Sequence, residues 1–263
     1  MEIIIRPTAE AAAALTARLI AARINNKPAL VLGLATGRTM EQVYRELIAL
    51  HRAGKVDFAA CTTFNLDEYA GLEASDPTSY HTYMREALFT HVNLRPEHTH
   101  LPCGVAADLA AECQAYEDLI KNAGGIDLQL LGIGATGHIG FNEPLSALLS
   151  RTRVKALTQT TREQNAFAFG GDPTRVPPRA LTMGVGTILE AREIVLLATG
   201  AAKAEILARA LEGPLTAAIS ASALQMHPCC KIIVDEAAAG ALRGSDYYRQ
   251  AFELASEWAS LHA

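Results

Sequence analysis

The sequence lacks the features that mark several large classes of protein. It contains no CxxC pair, and its five cysteines are an odd number, so we predict reduced thiols. It has no basic cluster, and a formal net charge of −5 argues against a surface that binds nucleic acid. Residues 1–6 carry no basic segment ahead of a long apolar run, so we expect neither a signal peptide nor a membrane span. These absences favour a cytoplasmic globular protein.

Segments typical of strands and helices alternate along all 263 residues, half of which are hydrophobic. Short apolar runs predict strands at residues 2–5, 29–34, 61–66, 126–131, 193–199 and 231–234. Helical spacing of apolar residues predicts helices at residues 9–24, from 39, at 79–90, at 107–123, from 200, and through 248–258. No linker divides the chain, so we expect a single domain, residues 1–263.

The segment GIGATGHIGFNEP, residues 132–144, follows one of the predicted strands and begins with four glycines in nine residues. Glycines beyond a strand end let the backbone turn tightly and approach a ligand closely. In open α/β sheets, ligands bind outside the carboxyl ends of the strands, where this loop is expected. His138 and Glu143 can orient each other there for proton transfer. The alternative is a glycine-rich turn that carries a surface histidine.

A candidate anion site follows the second predicted strand, where Thr36, Gly37, Arg38 and Thr39 lead into a helix. Thr39 is the expected N-cap of that helix. Free N–H groups and the dipole at a helix start favour phosphate, although the Walker spacing and its lysine are absent. Lys203 falls in the first turn of another predicted helix, where the dipole disfavours a cation, which suggests an anionic partner. The alternatives are an ordinary βα turn and a snorkelling surface lysine.

Acidic and basic residues elsewhere leave two further alternatives open. Asp67 and Glu68 follow a predicted strand, and two acids at a strand's carboxyl end are poorly placed for a core. We interpret them as part of a site, with a solvated loop as the alternative. Residues 151–155 include three cations, which suit a solvated strand face or a second anion site. Residues 170–178 are rich in glycine and proline and predict a surface segment.

Six motifs carry a resemblance to a known family. They are LGLATGRT at 32–39, FNLDEY at 64–69, GHIGFNEP at 137–144, SRTR at 150–153, VPPRALTMG at 176–184 and SALQMH at 222–227. With these motifs in this order, the chain resembles the glucosamine-6-phosphate deaminases, also called glucosamine-6-phosphate isomerases, over almost its whole length. The motifs are less specific for the substrate, because relatives include galactosamine-6-phosphate isomerases and 6-phosphogluconolactonases.

The resemblance implies a reaction and a role for individual residues. An amino sugar 6-phosphate is opened to its chain form, isomerised between carbons 1 and 2, and loses ammonia to give fructose 6-phosphate. Asp67 matches the base that moves the proton between those carbons, and His138 matches the residue that shuttles the ring-oxygen proton. Glu143 matches the carboxylate that orients and charges this histidine. The turn at residues 36–39 and Lys203 match positions around the sugar phosphate. No metal or organic cofactor is implied, because proton transfers alone accomplish the isomerisation.

The resemblance also implies regulation. Ser146, Arg153 and Lys155 match positions where hexameric members of the family bind N-acetylglucosamine 6-phosphate as an activator between subunits. This match indicates a homo-oligomer with an effector site, and a charged strand face is the alternative.

Three differences separate the chain from the family pattern. Thr136 stands beside the catalytic histidine where the family usually has Asp or Asn, so this partner of His138 can hydrogen-bond but cannot carry charge. Phe167 stands where an arginine commonly helps to hold the phosphate. Arg38 replaces a small residue of the phosphate turn, and Met40 replaces the usual proline. We therefore expect Arg38 to supply the cation that is missing at Phe167.

Together these observations predict a three-layer αβα fold on a mainly parallel, open, Rossmann-like sheet. They predict a glucosamine-6-phosphate deaminase whose catalytic residues are Asp67, His138, Glu143 and Thr136. The alternatives are an isomerase of galactosamine 6-phosphate or another phosphosugar, and a non-catalytic phosphosugar sensor. The presence of Asp67, His138 and Glu143 together favours an enzyme. The expected partner is the phosphosugar, without nucleic acid or membrane.

Overall fold

The computed structural model describes residues 1–255 and residue 258. Its strands are β1 Glu2–Arg6, β2 Val31–Leu34, β3 Thr62–Asn65, β4 Asp67–Tyr69, β5 Thr99–His100, β6 Leu128–Leu131, β7 Arg153–Ala156, β8 Arg179–Thr182, β9 Glu193–Ala198 and β10 Cys230–Asp235. Its α-helices are α1 Ala9–Asn26, α2 Arg38–Arg52, α3 Tyr80–Ala87, α4 Leu109–Asn122, α5 Gln159–Asn165, α6 Val185–Leu189, α7 Ala204–Leu211 and α8 Ser245–Leu254. The predicted strands and helices are all present, with shifted ends. The helix predicted through 258 ends at Leu254, and most residues beyond 255 lie outside the described residues.

A seven-stranded sheet forms the centre of the fold, in the order β1-β10-β9-β6-β2-β3-β5. Its strands pair in parallel throughout. From β2 the chain proceeds through β3 to β5 on one side, whereas from β6 it proceeds through β9 and β10 on the other. The direction of the strand order therefore changes between β2 and β6. Such a switch point leaves a crevice at the carboxyl ends of the two strands.

Helices cover both faces of this sheet, which confirms the predicted three-layer αβα fold. Helix α1 packs against α2 and against β1, β9 and β10. It begins after Thr8, whose side chain accepts a hydrogen bond from the N–H of Ala11, as an N-cap should. Strands β9 and β10 are buried along their whole length, as parallel strands covered on both faces must be. Among the described helices, none has both the length and the apolarity of a membrane span.

A second, three-stranded sheet was not predicted. It has the order β4-β8-β7 and its pairs are antiparallel. A small apolar cluster of Tyr69, Phe141, Phe169, Val176 and neighbouring residues packs against it. Residues 170–178 lie mostly at the surface, as predicted, and only Val176 among them is buried, in this cluster. The small sheet brings Asp67, at the start of β4, to the crevice of the large one.

Candidate active site

A cleft of about 390 Å³ lies over the switch point, at the carboxyl ends of β2, β6 and β9. The candidate residues that line it are Thr36, Gly37, Arg38, Thr39, Asp67, His138 and Lys203. The fold therefore brings together residues from distant parts of the chain. Thr136 and Glu143 do not line the cleft but contact or approach His138 from behind. In residues 1–255 and 258, no three His, Cys, Asp or Glu side chains form a group that could hold a metal ion.

The candidate anion-binding end of the cleft is the start of α2. The prediction that Thr39 is the N-cap is wrong: Gly37 is the N-cap, and the helix begins at Arg38. Gly37 has a φ of 111°, which glycine adopts readily because it has no Cβ. The helix therefore begins directly after Gly37, two residues before a helix capped by Thr39 would begin. No side chain caps this end, so its first N–H groups remain available to a ligand.

Two cations flank this helix start. The Nζ of Lys203 donates a hydrogen bond to the carbonyl oxygen of Ile133 at 2.7 Å, and burial lowers the pKa of the lysine. The guanidinium of Arg38 lies over the ring of Phe167, with its carbon 4.7 Å from the ring centroid. No carboxylate of the described residues forms a salt bridge with either cation. The pair therefore presents positive charge to the cleft that the protein itself does not neutralise.

The Asp67 carboxyl group lies on the other side of the cleft and is only 5% exposed. In β4 it is opposite Thr182 of β8. Burial raises the pKa of Asp67, and the adjacent Glu68 raises it further, to about 8. The nearby N–H of Phe141 and hydroxyl of Thr182 lower the pKa of Asp67 and offset only part of this rise. A carboxyl group of such high proton affinity is suited to general-base chemistry near neutral pH.

The imidazole of His138 lies against the backbone of Gly134, which lines the same cleft. A Cβ at Gly134 would lie 2.1 Å from Nε2, so only glycine leaves room for the ring. Nδ1 is 2.8 Å from the hydroxyl oxygen of Thr136 and 3.6 Å from Oε2 of Glu143. Thr136 is therefore the hydrogen-bond partner of Nδ1, and Glu143 is its nearest charge. This arrangement leaves Nε2 to exchange protons with a ligand.

Glu143 is almost fully buried, with 2% of its surface exposed. Its Oε1 accepts hydrogen bonds from the N–H of Thr158 at 2.9 Å and from the hydroxyl of the same residue at 3.2 Å. Burial alone would raise its pKa, but His138, Thr161 and the N–H of Thr158 lower the pKa to about 2. Oε2 has no hydrogen-bond partner within the described residues. Glu143 is thus a carboxylate, with one oxygen fixed and the other facing the imidazole.

The three candidate effector residues lie outside the cleft, in or beside the segment that follows the glycine-rich loop at residues 132–144. The hydroxyl of Ser146 donates to the carbonyl oxygen of Glu143 at 2.7 Å. Nη1 of Arg153 donates to the side-chain oxygen of Asn142 at 2.8 Å, whereas its Nη2 is buried without a partner in the described chain. Lys155 is half-buried, two residues further along β7 and therefore on the same face as Arg153.

Sequence reasoning missed several residues of the cleft wall. Tyr80, Gln164 and Asn165 line it. Tyr80 lies at the start of α3, and its hydroxyl is 3.2 Å from that of Tyr69. The side-chain oxygen of Gln164 accepts the N–H of Ala135 at 3.0 Å, which joins α5 to the glycine-rich loop. The polar end of the short helix α5 was the only sequence signal for the last two, and nothing in the sequence indicated Tyr80.

Comparison with known proteins decides the family. The model of the glucosamine-6-phosphate isomerases/6-phosphogluconolactonases matches residues 6–232. The chain belongs to this family. It is 49% identical over 261 residues to a glucosamine-6-phosphate deaminase of Arthrobacter sp. (strain FB24), covering 99% of this chain and 100% of the relative. It is 51% identical over 249 residues to a glucosamine-6-phosphate deaminase of Cellvibrio japonicus (strain Ueda107), covering 95% and 94%.

A solved structure of a monomeric glucosamine-6-phosphate deaminase is similar to the whole fold. It superposes with a TM-score of 0.89 at 45% sequence identity, covering 92% of this chain and 100% of that chain. The resemblance predicted from the motifs is therefore confirmed, together with the αβα architecture. The roles of individual residues in the cleft remain predictions.

Proposed function

We propose that the protein converts glucosamine 6-phosphate to fructose 6-phosphate and ammonia, by isomerisation with deamination. The observation that carries the proposal is a single cleft that holds a basic carboxyl group, a histidine and an uncapped helix start flanked by two cations. Each group matches one need of the reaction: a base for a carbon-bound proton, a shuttle for a ring proton, and an anchor for a phosphate. The names of the curated relatives support the same substrate.

Ring opening falls to His138. Opening a cyclic amino sugar moves a proton from the hydroxyl on carbon 1 to the ring oxygen. With Nδ1 held at Thr136, Nε2 of His138 accepts and returns that proton, while the Glu143 carboxylate stabilises the charged imidazole. Thr136 and Glu143 therefore orient the ring that contacts the substrate.

Isomerisation falls to Asp67. Its carboxylate removes the proton from carbon 2 and returns it to carbon 1, while a proton passes from the nitrogen on carbon 2 to the aldehyde oxygen on carbon 1. This leaves a hydroxyl group on carbon 1 and an imine at carbon 2. Water adds to this imine, and the carbon–nitrogen bond breaks to give the ketone and ammonia. Because Asp67 is buried, its ionised form binds protons strongly, which favours abstraction of a carbon-bound proton.

In this proposal the start of α2 binds the phosphate. We assign its oxygens to the N–H groups of Thr36, Gly37, Arg38 and Thr39, with the side chains of Arg38 and Lys203 beside them. The absence of a salt bridge on either cation within the described residues supports this assignment.

The proposal extends to regulation, oligomeric state, domain organisation and cellular location. Ser146, Arg153 and Lys155 would bind N-acetylglucosamine 6-phosphate in a homo-oligomer, and the unpartnered Nη2 of Arg153 supports an anion there. The monomeric relative makes oligomeric state a point to measure by light scattering. We treat the chain as one domain because the cleft draws on both sheets, and as cytoplasmic because all five cysteines are unpaired.

Ammonia release from a panel of amino sugar phosphates tests the proposal. Glucosamine 6-phosphate should be the best substrate, and Asp67→Asn should lower kcat by about 10²–10⁴-fold while the sugar phosphate still binds. Asp118→Asn, an exposed change on α4, is the control and should match the parent. Preference for galactosamine 6-phosphate would replace the substrate. Tight binding of one phosphosugar without ammonia from any would indicate a sensor.

A further inference from the structure

Next to Asp67 lies a second buried carboxyl group that the proposed mechanism does not use. Glu68 is the central residue of β4 and is completely buried, with 0% of its surface exposed. Successive side chains of a strand point to opposite faces, and only Asp67 lines the cleft. Glu68 therefore lies behind the base, in contact with the protein interior rather than with a ligand.

The partners of Glu68 are backbone N–H groups. Its Oε1 accepts the N–H of Tyr69 at 2.7 Å, and its Oε2 accepts the N–H of His81 at 3.2 Å. The N–H of Tyr80 also stabilises its anionic form. Tyr80 and His81 form the first turn of α3, so the carboxylate lies at the positive end of that helix.

No cation compensates this pair of acids. Within the described residues neither Asp67 nor Glu68 has a salt bridge. The titratable groups around them include Tyr69 of β4, Tyr80 and His81 of α3, Tyr116 of α4 and, near Glu68, Asp76. Arg38, His138 and Lys203 line the cleft with Asp67 but form no salt bridge with it. Two adjacent buried carboxyl groups without a cation resist ionising together, and their titrations are coupled.

The hydrogen bonds decide which member of the pair is ionised first. The three N–H groups favour the charged form of Glu68, whereas the N–H of Phe141 near Asp67 is donated to the hydroxyl oxygen of Thr182 at 3.0 Å. Burial raises the pKa of both, to about 7 for Glu68 and about 8 for Asp67. The single negative charge of the resting pair therefore belongs on Glu68, and the proton on Asp67.

We infer that Glu68 is a positioning residue that holds this negative charge behind Asp67 and so keeps the proton affinity of the Asp67 carboxylate high. The inference rests on the proposed function of Asp67 as the base. It also specifies the substrate: the cation that the pair lacks is the ammonium group on carbon 2 of an amino sugar. That group, bound beside Asp67, compensates its ionisation, which a hydroxyl group on carbon 2 cannot do.

The first test is the pH dependence of kcat/KM in two variants. Glu68→Gln removes the charge and keeps the shape, so the pKa of Asp67 should fall and the acidic limb should move to lower pH by about one pH unit or more. Glu68→Asp keeps the charge and should leave the limb near that of the parent. An unmoved limb in Glu68→Gln, or equal movement in both variants, would overturn the inference. Thermal unfolding of both variants shows that they are folded.

A second measurement needs neither turnover nor a Glu68 variant. Carboxyl ¹³C NMR titration of the parent should show Asp67 ionising far above the ordinary value near 3.9. In Asp67→Asn, Glu68 should titrate at nearly the same pH as in the parent, because in the parent it ionises while Asp67 is still neutral. An Asp67 that ionises near its ordinary pKa would refute the electrostatic coupling between Asp67 and Glu68. A coupled pair in a protein that releases no ammonia would instead refute only the proposed function.

Discussion

Because the guanidinium of Arg38 stacks on the ring of Phe167, we predict that an arginine at position 167 can replace Arg38 in binding the phosphate. The guanidinium carbon lies 4.7 Å from the ring centroid, so an arginine at 167 would place its charge in the same part of the cleft. Arg38→Gln should raise KM for the phosphosugar roughly tenfold to a hundredfold, because a hydrogen bond to a charged group contributes about 1.5–3 kcal/mol. The double variant Arg38→Gln, Phe167→Arg should recover most of that loss.

Phe167 alone has a smaller role. Its ring is half-exposed, and an exposed cation–π contact contributes about 0.5–1 kcal/mol. Phe167→Leu should therefore raise KM only about two- to fivefold, because the guanidinium remains but loses the surface that aims it. The kcat values should change little in all of these variants, since neither residue takes part in a proton transfer.

The assay compares KM for the phosphosugar with the inhibition constant of an unphosphorylated amino sugar. Only the phosphorylated ligand should respond to Arg38→Gln. Arg45→Gln is the matched control, because it removes the same charge from an exposed position further along α2. An equal loss for both ligands would indicate a distorted turn. A double variant no better than Arg38→Gln would show that the charge near Phe167 does not contact the phosphate.

Three further predictions concern the loop at residues 132–144 and Arg153 of β7, which contacts it. Thr136→Asp places a carboxylate beside Nδ1 of His138, so the acidic limb of the rate profile should move to higher pH by roughly half a pH unit or more and the cyclic substrate should react faster; an unmoved profile in a folded variant would exclude this role. The pKa of Glu143 is lowered to about 2, so its ionisation contributes stability above the unfolded value near 4.3 that is lost as pH falls. Glu143→Gln should therefore lower the free energy of unfolding by about 1–2 kcal/mol at pH 7, and denaturant titrations should show this difference shrinking between about pH 5 and pH 2. Arg153→Gln should abolish activation by N-acetylglucosamine 6-phosphate without changing basal kcat, and a parent that is monomeric and indifferent to this compound would remove the effector site.

The parts of the fold that sequence predicts are those with local causes. Strands such as β9 and β10 each contain a short run of apolar residues, which is typical of a strand buried in a parallel sheet. The convergence of Thr36, Asp67 and His138 also follows, because the carboxyl ends of parallel strands meet at one edge. All three residues line one cleft.

The parts that sequence does not predict depend on contacts between distant segments. Strand β7 has no buried residue and β4 has only three residues, so neither carries a strand signal of its own. The N-cap of α2 was assigned to Thr39 because its side chain suits a cap, but the backbone of Gly37 enters the helix without one. The carboxylate of Glu68 depends on the position of α3, which no local pattern specifies.

The division of the cleft between two sheets has a consequence for the choice of substrate. The phosphate anchor follows β2 of the large sheet, whereas Asp67 belongs to the small sheet. The hydroxyl of Thr182 in the small sheet accepts the N–H of Phe141 at 3.0 Å, and this contact connects the small sheet to the loop that follows β6 of the large sheet. If the residues act as proposed, the distance from the start of α2 to Asp67 determines which carbon of the opened sugar lies beside the base. We therefore expect a sugar phosphate one carbon shorter or longer to be a poor substrate, because the wrong carbon would lie beside Asp67.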